Sequence, residues 1–202
     1  MSKLPFTASF TQTLQLRYQT RQSWTQTVLG DFDTFLNDHA AAEKKASGMA
    51  LSMALHYTDK PDVVAAMLDL AVEELDHFRA VVKLMHARKL NLARDEKDLY
   101  VNSLREQVRG GKDDYFLDRL LLGAVIEARG AERFGLIADA LPAGELKEFY
   151  AAITDSENRH RGLFIDLARQ HFSAEDVDKR LDELLDIEAK LVAGLPDRPA
   201  LH

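Results

Sequence analysis

The sequence predicts an all-α fold, a four-helix bundle with additional short and C-terminal helices. Four long segments repeat apolar residues at spacings of three and four, Pro and Gly punctuate the intervals, and no run alternates as a strand would. A chain of 202 residues suits one well-buried core. The expected organisation is a single domain over 1–202. It has a polar, Gln- and Thr-rich arm over 1–30, a bundle core over about 31–172 and an acidic C-terminal helix over about 173–192.

Each element follows from local signals. The first long helix runs from about Asp31 to Tyr57, with Asp31 and Asp33 favouring its N-terminus and Thr58-Asp59-Lys60-Pro61 ending it. Pro61 opens a second helix reaching about Lys89, because proline lacks only an N–H that the first turn leaves unused. A shorter helix is expected over about Glu96–Val108, with Asp95 as N-cap and Gly110-Gly111 as its stop. The third long helix spans about Asp113–Ala140, closed by Leu141-Pro142, and the fourth about Gly144–Phe172. Ser173 and Asp176 read as the cap of the last helix, and the tail GLPDRPALH reads as loose.

Composition narrows the function. There is no cysteine, which excludes disulfides, thiolate metal sites and a fused rubredoxin-type electron donor. The longest apolar run, Leu120–Ile126, is far too short to span a bilayer, so no membrane partner is expected. The start MSKLPFTASF lacks a secretory layout, and the expected location is cytoplasmic. The net charge of −7 is uneven: residues 77–133 carry 12 basic groups against 9 acidic and form the one basic section.

The four apolar stripes share an anomaly. Each is interrupted in its middle by a glutamate: Glu43, Glu74, Glu127 and Glu157. An unpaired carboxylate in a core costs several kcal/mol, roughly, against a total stability of about 5–15 kcal/mol. No lysine or arginine occupies the seam at that level, so a pair of divalent cations is the expected counter-charge. Glu74-Leu75-Asp76-His77 and Glu157-Asn158-Arg159-His160 are both Glu-x-x-His, which aims both side chains from one helix face. With 13 Glu and 7 His, about 0.5 such motifs arise by chance, so one alone means little. Here a glutamate 31 or 30 residues ahead precedes each motif, and all six residues are in phase with the seams. Carboxylate with imidazole suits iron or manganese, and this donor set is that of ferritin-like di-iron and di-manganese bundles.

Neighbouring residues carry weaker signals. His39, one turn before Glu43, either hydrogen-bonds that glutamate or is an ordinary core histidine. Glu73 and Glu132 lie off the seams, where salt-bridged or solvated roles are expected, and Asp76 either orients a ligand histidine or, by default, lies at the surface. Phe134, Phe164 and Leu120 either wall a pocket or are plain core.

The surroundings of these residues carry a resemblance. DHAAAEKKASGMALSMALHY around Glu43, LAVEELDHF around Glu74 and His77, GAVIEARGAERF around Glu127, and FYAAITDSENRHRGLFIDLA around Glu157 and His160 resemble the bacterial tRNA-(2-methylthio-N6-isopentenyladenosine) hydroxylases, the MiaE family. The resemblance runs from about Trp24 to Phe172; Ala42 stands where the family often has a cysteine. It implies a non-haem di-iron monooxygenase with two iron ions, O2 as co-substrate and an external reductase as electron donor. The six ligands carry over onto Glu43, Glu74, His77, Glu127, Glu157 and His160. The implied substrate is the isopentenyl side chain of a tRNA anticodon-loop adenosine. Arg94, Arg105, Arg109, Lys112 and Arg119 of the basic section are then candidates for the tRNA backbone, against the alternative of a solvated charged face. A monomer or small oligomer is expected. An iron-oxidising storage protein and a di-metal peroxide scavenger remain alternatives, separable by assembly size and by metal and peroxide assays.

Overall fold

The computed structural model describes residues 14–202. The described residues form α1 (Gln22–Gly30), α2 (Phe32–His56), α3 (Pro61–Ala87), α4 (Leu99–Arg105), α5 (Lys112–Ala140), α6 (Glu145–His171) and α7 (Ala174–Gly194), with no strand among them. α2 packs chiefly on α3 and α5 chiefly on α6. The two pairs close into the bundle, and α7 lies along α5. The four long helices begin and end within about two residues of the sequence expectation, because the breakers act locally. Asp31 caps α2 by accepting from the Thr34 N–H at 3.3 Å, Pro61 opens α3, and the Ser173 hydroxyl caps α7 through the Asp176 N–H at 3.1 Å. Gly111, at φ 96°, makes the turn into α5 that a side chain would resist.

Three expectations change. Residues 22–30 form α1, so the polar arm does not extend to Gly30; Trp24 and Val28 turn one helical face inward. Residues 1–13 of that arm lie outside the described residues. The short helix is Leu99–Arg105, capped by Asp98, whose carboxylate accepts from Val101 N–H at 2.9 Å. Asp95 instead takes Lys44 at 2.7 Å.

The tail is also tied down. Ala200 and Leu201 are buried, and the Trp24 indole donates to the Ala200 carbonyl at 3.1 Å. The Leu201 N–H reaches Asp38 at 2.7 Å, and the His202 ring stacks on Tyr100 with centroids 4.7 Å apart.

The apolar core falls into three clusters, a small one of Leu36, Ala40, Val81 and Met85 between α2 and α3 and two larger ones. One of the larger gathers Met53, Met67, Leu70, Phe116, Leu120 and Phe164 near the α2–α3 turn; the other gathers Trp24, Phe35, Phe134, Ile137, Tyr150 and Ile153 toward the opposite end. The glutamate layer lies between these two. Outside the bundle, buried ion pairs fix α7: Arg129 meets Glu188 at 2.7 Å with both side chains fully buried, and Arg180 meets Asp118 at 2.9 Å. Such pairs resist separation because either charge left alone in the interior is costly.

Candidate metal centre

Each long helix delivers one glutamate to the middle of the bundle, and α3 and α6 each add the histidine three residues on. Glu43, Glu74, Glu127, Glu157 and His160 are all buried; His77 keeps 14% of its side chain accessible. His77 Nδ1 lies 3.3 Å from Glu74 Oε2 and 3.8 Å from Glu43 Oε2. His160 Nδ1 lies 2.9 Å from Glu74 Oε1, 3.7 Å from Glu127 Oε2 and 3.9 Å from Glu157 Oε1. The side chains form two overlapping sets. Glu43, Glu74, His77 and Glu157 offer donor atoms all within 4.8 Å of one another, as do Glu74, Glu127, Glu157 and His160. Glu74 and Glu157 belong to both. The structure therefore brings together all six residues singled out from the sequence.

Packing leaves room for this layer at one point of α5. A Cβ on Gly130 would stand 2.9 Å from Glu157 Oε2, so any larger residue there would push that carboxylate aside.

The electrostatics of the cluster are strained. Burial pushes the Glu157 carboxyl well above the usual range, and the charges of Glu127, Glu74 and Glu43 add to that. Burial likewise lifts Glu74 to about 7 against the pull of both histidines. Burial also disfavours charge on the histidines, but contacts with the glutamates outweigh it, raising His77 to about 9 and His160 to about 11. Glu43 goes the other way: against burial, the hydrogen bond with His39 and the nearby His77 ring hold it low.

A hydrogen-bonded chain explains that difference. His39 Nε2 is 2.6 Å from Glu43 Oε1, and His39 Nδ1 is 3.2 Å from the Tyr150 hydroxyl. A carboxylate only accepts, so Nε2 carries the proton and Nδ1 accepts from Tyr150 O–H. Both rings are fully buried, with Phe134 against His39 at 4.6 Å between centroids. Tyr150 was readable only as an apolar seam residue; its hydroxyl gains meaning from His39 on another helix.

Within this layer, Glu74 Oε1 and both ring nitrogens of His160 are buried without an aligned hydrogen-bond partner. His160 Nδ1 and Glu74 Oε1 are close enough to pair, yet they are not aligned for a hydrogen bond. An unsatisfied buried polar atom costs about 1–3 kcal/mol. Apart from the long His77 Nδ1–Glu74 Oε2 contact at 3.3 Å, these atoms converge on one another without aligned bonds, which suits a cation between them, and the carboxylate–imidazole set fits iron or manganese.

The remaining residues fall into place around this layer. Glu73, off the seam, lies 3.2 Å from His160 Nε2 and 2.7 Å from Arg159, spanning the α3–α6 cleft. Asp76 is exposed and pairs with Arg79 at 2.8 Å. Glu132 accepts from the Thr20 N–H at 2.8 Å and pairs with Arg129. Phe134, Phe164 and Leu120 are buried packing residues; Phe164 presses on Gly123. Arg129 and Arg133, inside the GAVIEARGAERF stretch, point away from the cluster. Arg129 donates to the Tyr18 carbonyl at 2.9 Å, and Arg133 lies over Trp24 at 4.8 Å, so both clamp chain ends to α5.

The basic section is less uniform than its composition. Arg109 holds the buried Asp118 at 2.7 Å and Asp114 at 3.1 Å, which makes it part of the folded framework. Arg119 lies 5.7 Å from the ring centroids of both Tyr57 and Tyr115, and Lys112 is 4.0 Å from Asp59. Arg94 and Arg105 are exposed. No helix of the described residues is long and apolar enough to cross a membrane.

Comparisons with known proteins place the chain in a family. A Pseudomonas putida protein named tRNA 2-(methylsulfanyl)-N(6)-isopentenyladenosine(37) hydroxylase is 34% identical over 179 residues, covering 89% of this chain and 86% of that protein. A Salmonella typhimurium protein of the same name is 34% identical over 164 residues, covering 80% of this chain but only 58% of its own length. In structure, the chain is similar to a Synechococcus protein described as protein 43 with aldehyde deformylating oxygenase activity. The TM-score is 0.88 and the identity 35%, over 93% of this chain and 94% of that one, and the shared architecture is the ferritin-like bundle. A family profile described as tRNA-(MS[2]IO[6]A)-hydroxylase (MiaE) matches residues 8–202. With that span, that donor layer and those relatives, the chain belongs to the MiaE family.

Proposed function

We propose that this chain is a non-haem di-iron hydroxylase that adds a hydroxyl group to the isopentenyl side chain of 2-methylthio-N6-isopentenyladenosine in the tRNA anticodon loop. The observation that carries the reading is the convergence of four buried carboxylates and two histidines, with Glu74 Oε1 and the His160 nitrogens left without hydrogen bonds. Glu43, Glu74, His77 and Glu157 would hold one iron and Glu74, Glu127, Glu157 and His160 the other, with Glu74 and Glu157 shared. Two irons bound there supply the redox chemistry that puts one atom of O2 into a C–H bond, the other leaving as water with two electrons from an external reductase and two protons.

The chain's own residues do the rest. His39, backed by Tyr150, pins one oxygen of Glu43 and leaves the other for metal. Glu73 steadies the far side of the His160 ring. The buried phenylalanines and leucines above and below the layer exclude water. Arg94, Arg105, Lys112 and Arg119 are offered to the RNA backbone; Arg109 is withdrawn from that role by its bond to Asp118. The names of the two bacterial relatives support the substrate.

The test is a nucleoside digest of tRNA from cells lacking and regaining this chain. Loss and return of the hydroxylated prenyl-adenosine supports the reading. An unchanged digest, together with hydrogen peroxide consumption or assembly into an iron-storing shell, would replace it with one of the alternatives.

A further inference from the structure

The outward face of the α2–α3 pair is apolar, and nothing in the described chain covers it. Leu51 and Leu55 on α2 and Leu68, Val72 and Leu75 on α3 are 45%, 78%, 46%, 62% and 53% exposed. Helical geometry puts them on one side. On α2 they stand about a quarter to a third of a turn from the core-facing Glu43 and Ala50, and on α3 about a third to a half of a turn from Glu74 and Leu70. The Ser47 hydroxyl donates to the Ala71 carbonyl at 2.8 Å, which fixes the seam between the helices and turns both sets away from the bundle.

We propose that this face is the interface of a two-fold symmetric dimer of this chain. The exposed apolar area of these five side chains is on the order of 500 Å2, at the upper end for a soluble monomer. A standard interface takes about 800 Å2 from each partner, and about 65% of a homodimer interface is apolar. The face thus supplies the apolar part such a dimer needs, with its polar rim still to be drawn from the helices' flanks.

A mid-helix glycine also fits a second copy. Gly48 sits in mid-helix on this face, where glycine costs about 1 kcal/mol relative to alanine. A Cβ there would meet nothing within 4 Å, so the chain's own packing does not require it, while a helix laid across the face would.

The test is sedimentation of the full chain, metal-loaded and over a range of concentrations. The mass is expected to rise from 22.8 kDa to twice that value. Leu55→Glu with Val72→Glu should hold it at 22.8 kDa with an unchanged melting curve and metal content. Gly48→Ala should raise the melting temperature of the monomer yet weaken association by about tenfold or more. A wild-type chain that stays at 22.8 kDa at every concentration overturns the proposal. So does a dimer that survives either variant unchanged. Neither result bears on the hydroxylase reading, whose digest is read separately.

Discussion

Gly130→Ala separates the metal layer from the fold that carries it. The new Cβ would lie 2.9 Å from Glu157 Oε2, about half an ångström inside ordinary contact, so the carboxylate must retreat by that much. Metal–ligand distances tolerate only about 0.2 Å, and displacing a ligand's support typically costs about 10–100-fold in metal affinity. The helix itself gains up to about 1 kcal/mol from alanine in place of glycine, or about 2–4 °C in melting temperature for a chain of this size. The two effects have opposite signs. Gly123→Ala, seven residues earlier on the same seam, is the control. Its Cβ would sit 2.8 Å from the buried Phe164 ring, and overpacking costs about 1–3 kcal/mol. The assay is thermal unfolding with chelator present, followed by anaerobic Fe(II) titration of each variant. Gly130→Ala should melt at or above wild type and bind iron more weakly; Gly123→Ala should melt lower. A Gly130→Ala chain that binds iron as wild type does, or that loses as much stability as Gly123→Ala, refutes the reasoning.

Other expectations follow from the buried polar contacts. Tyr150→Phe removes the partner of His39 Nδ1 at 3.2 Å and should cost about 1–3 kcal/mol, read by chemical denaturation, with a further loss of iron affinity. Glu188→Ala leaves the fully buried Arg129 with Glu132 as its remaining carboxylate and the Tyr100 hydroxyl without its acceptor, and should cost about 1–3 kcal/mol in the same experiment. Asp98 gives a pH signature: burial opposes its ionisation, but His202, the Val101 N–H and Lys45 prevail and depress it to about 2. A depressed carboxyl contributes stability above its unfolded value and loses it as pH falls toward the folded one. Asp98→Asn keeps the cap but not the charge. Its deficit in melting temperature should therefore be full above about pH 4 and vanish near pH 2. Arg94→Glu with Arg105→Glu should weaken tRNA binding and flatten its salt dependence, as measured by filter binding, while leaving iron content unchanged.

Most of the bundle was legible in the sequence because its signals are local. Pro61, Gly111 and the Ser173 cap act within one turn, and the seams need only a period of 3.6. The glutamate layer was legible for the same reason: two Glu-x-x-His motifs in phase with apolar stripes need no knowledge of what faces them. The misses involve partners far away along the chain. α1 offers only Trp24, Thr25 and Val28 to the interior, too few to make a stripe. The tail reads as loose from its prolines and charges, yet Trp24, Asp38 and Arg133 hold it from more than sixty positions away. In the short helix, Asp95 and Asp98 are equally good caps by type; Lys44 decides by engaging Asp95. Arg109 looked like a surface cation because nothing local reveals that Asp118 is buried beneath it.

The most direct test of the metal layer is anaerobic Fe(II) loading of the purified chain, followed by metal analysis after gel filtration. The account requires two irons per folded chain, and loss of both in Glu157→Gln, since that residue belongs to both donor sets. A fully folded wild-type chain that retains no iron, or a Glu157→Gln chain that still holds two, contradicts it.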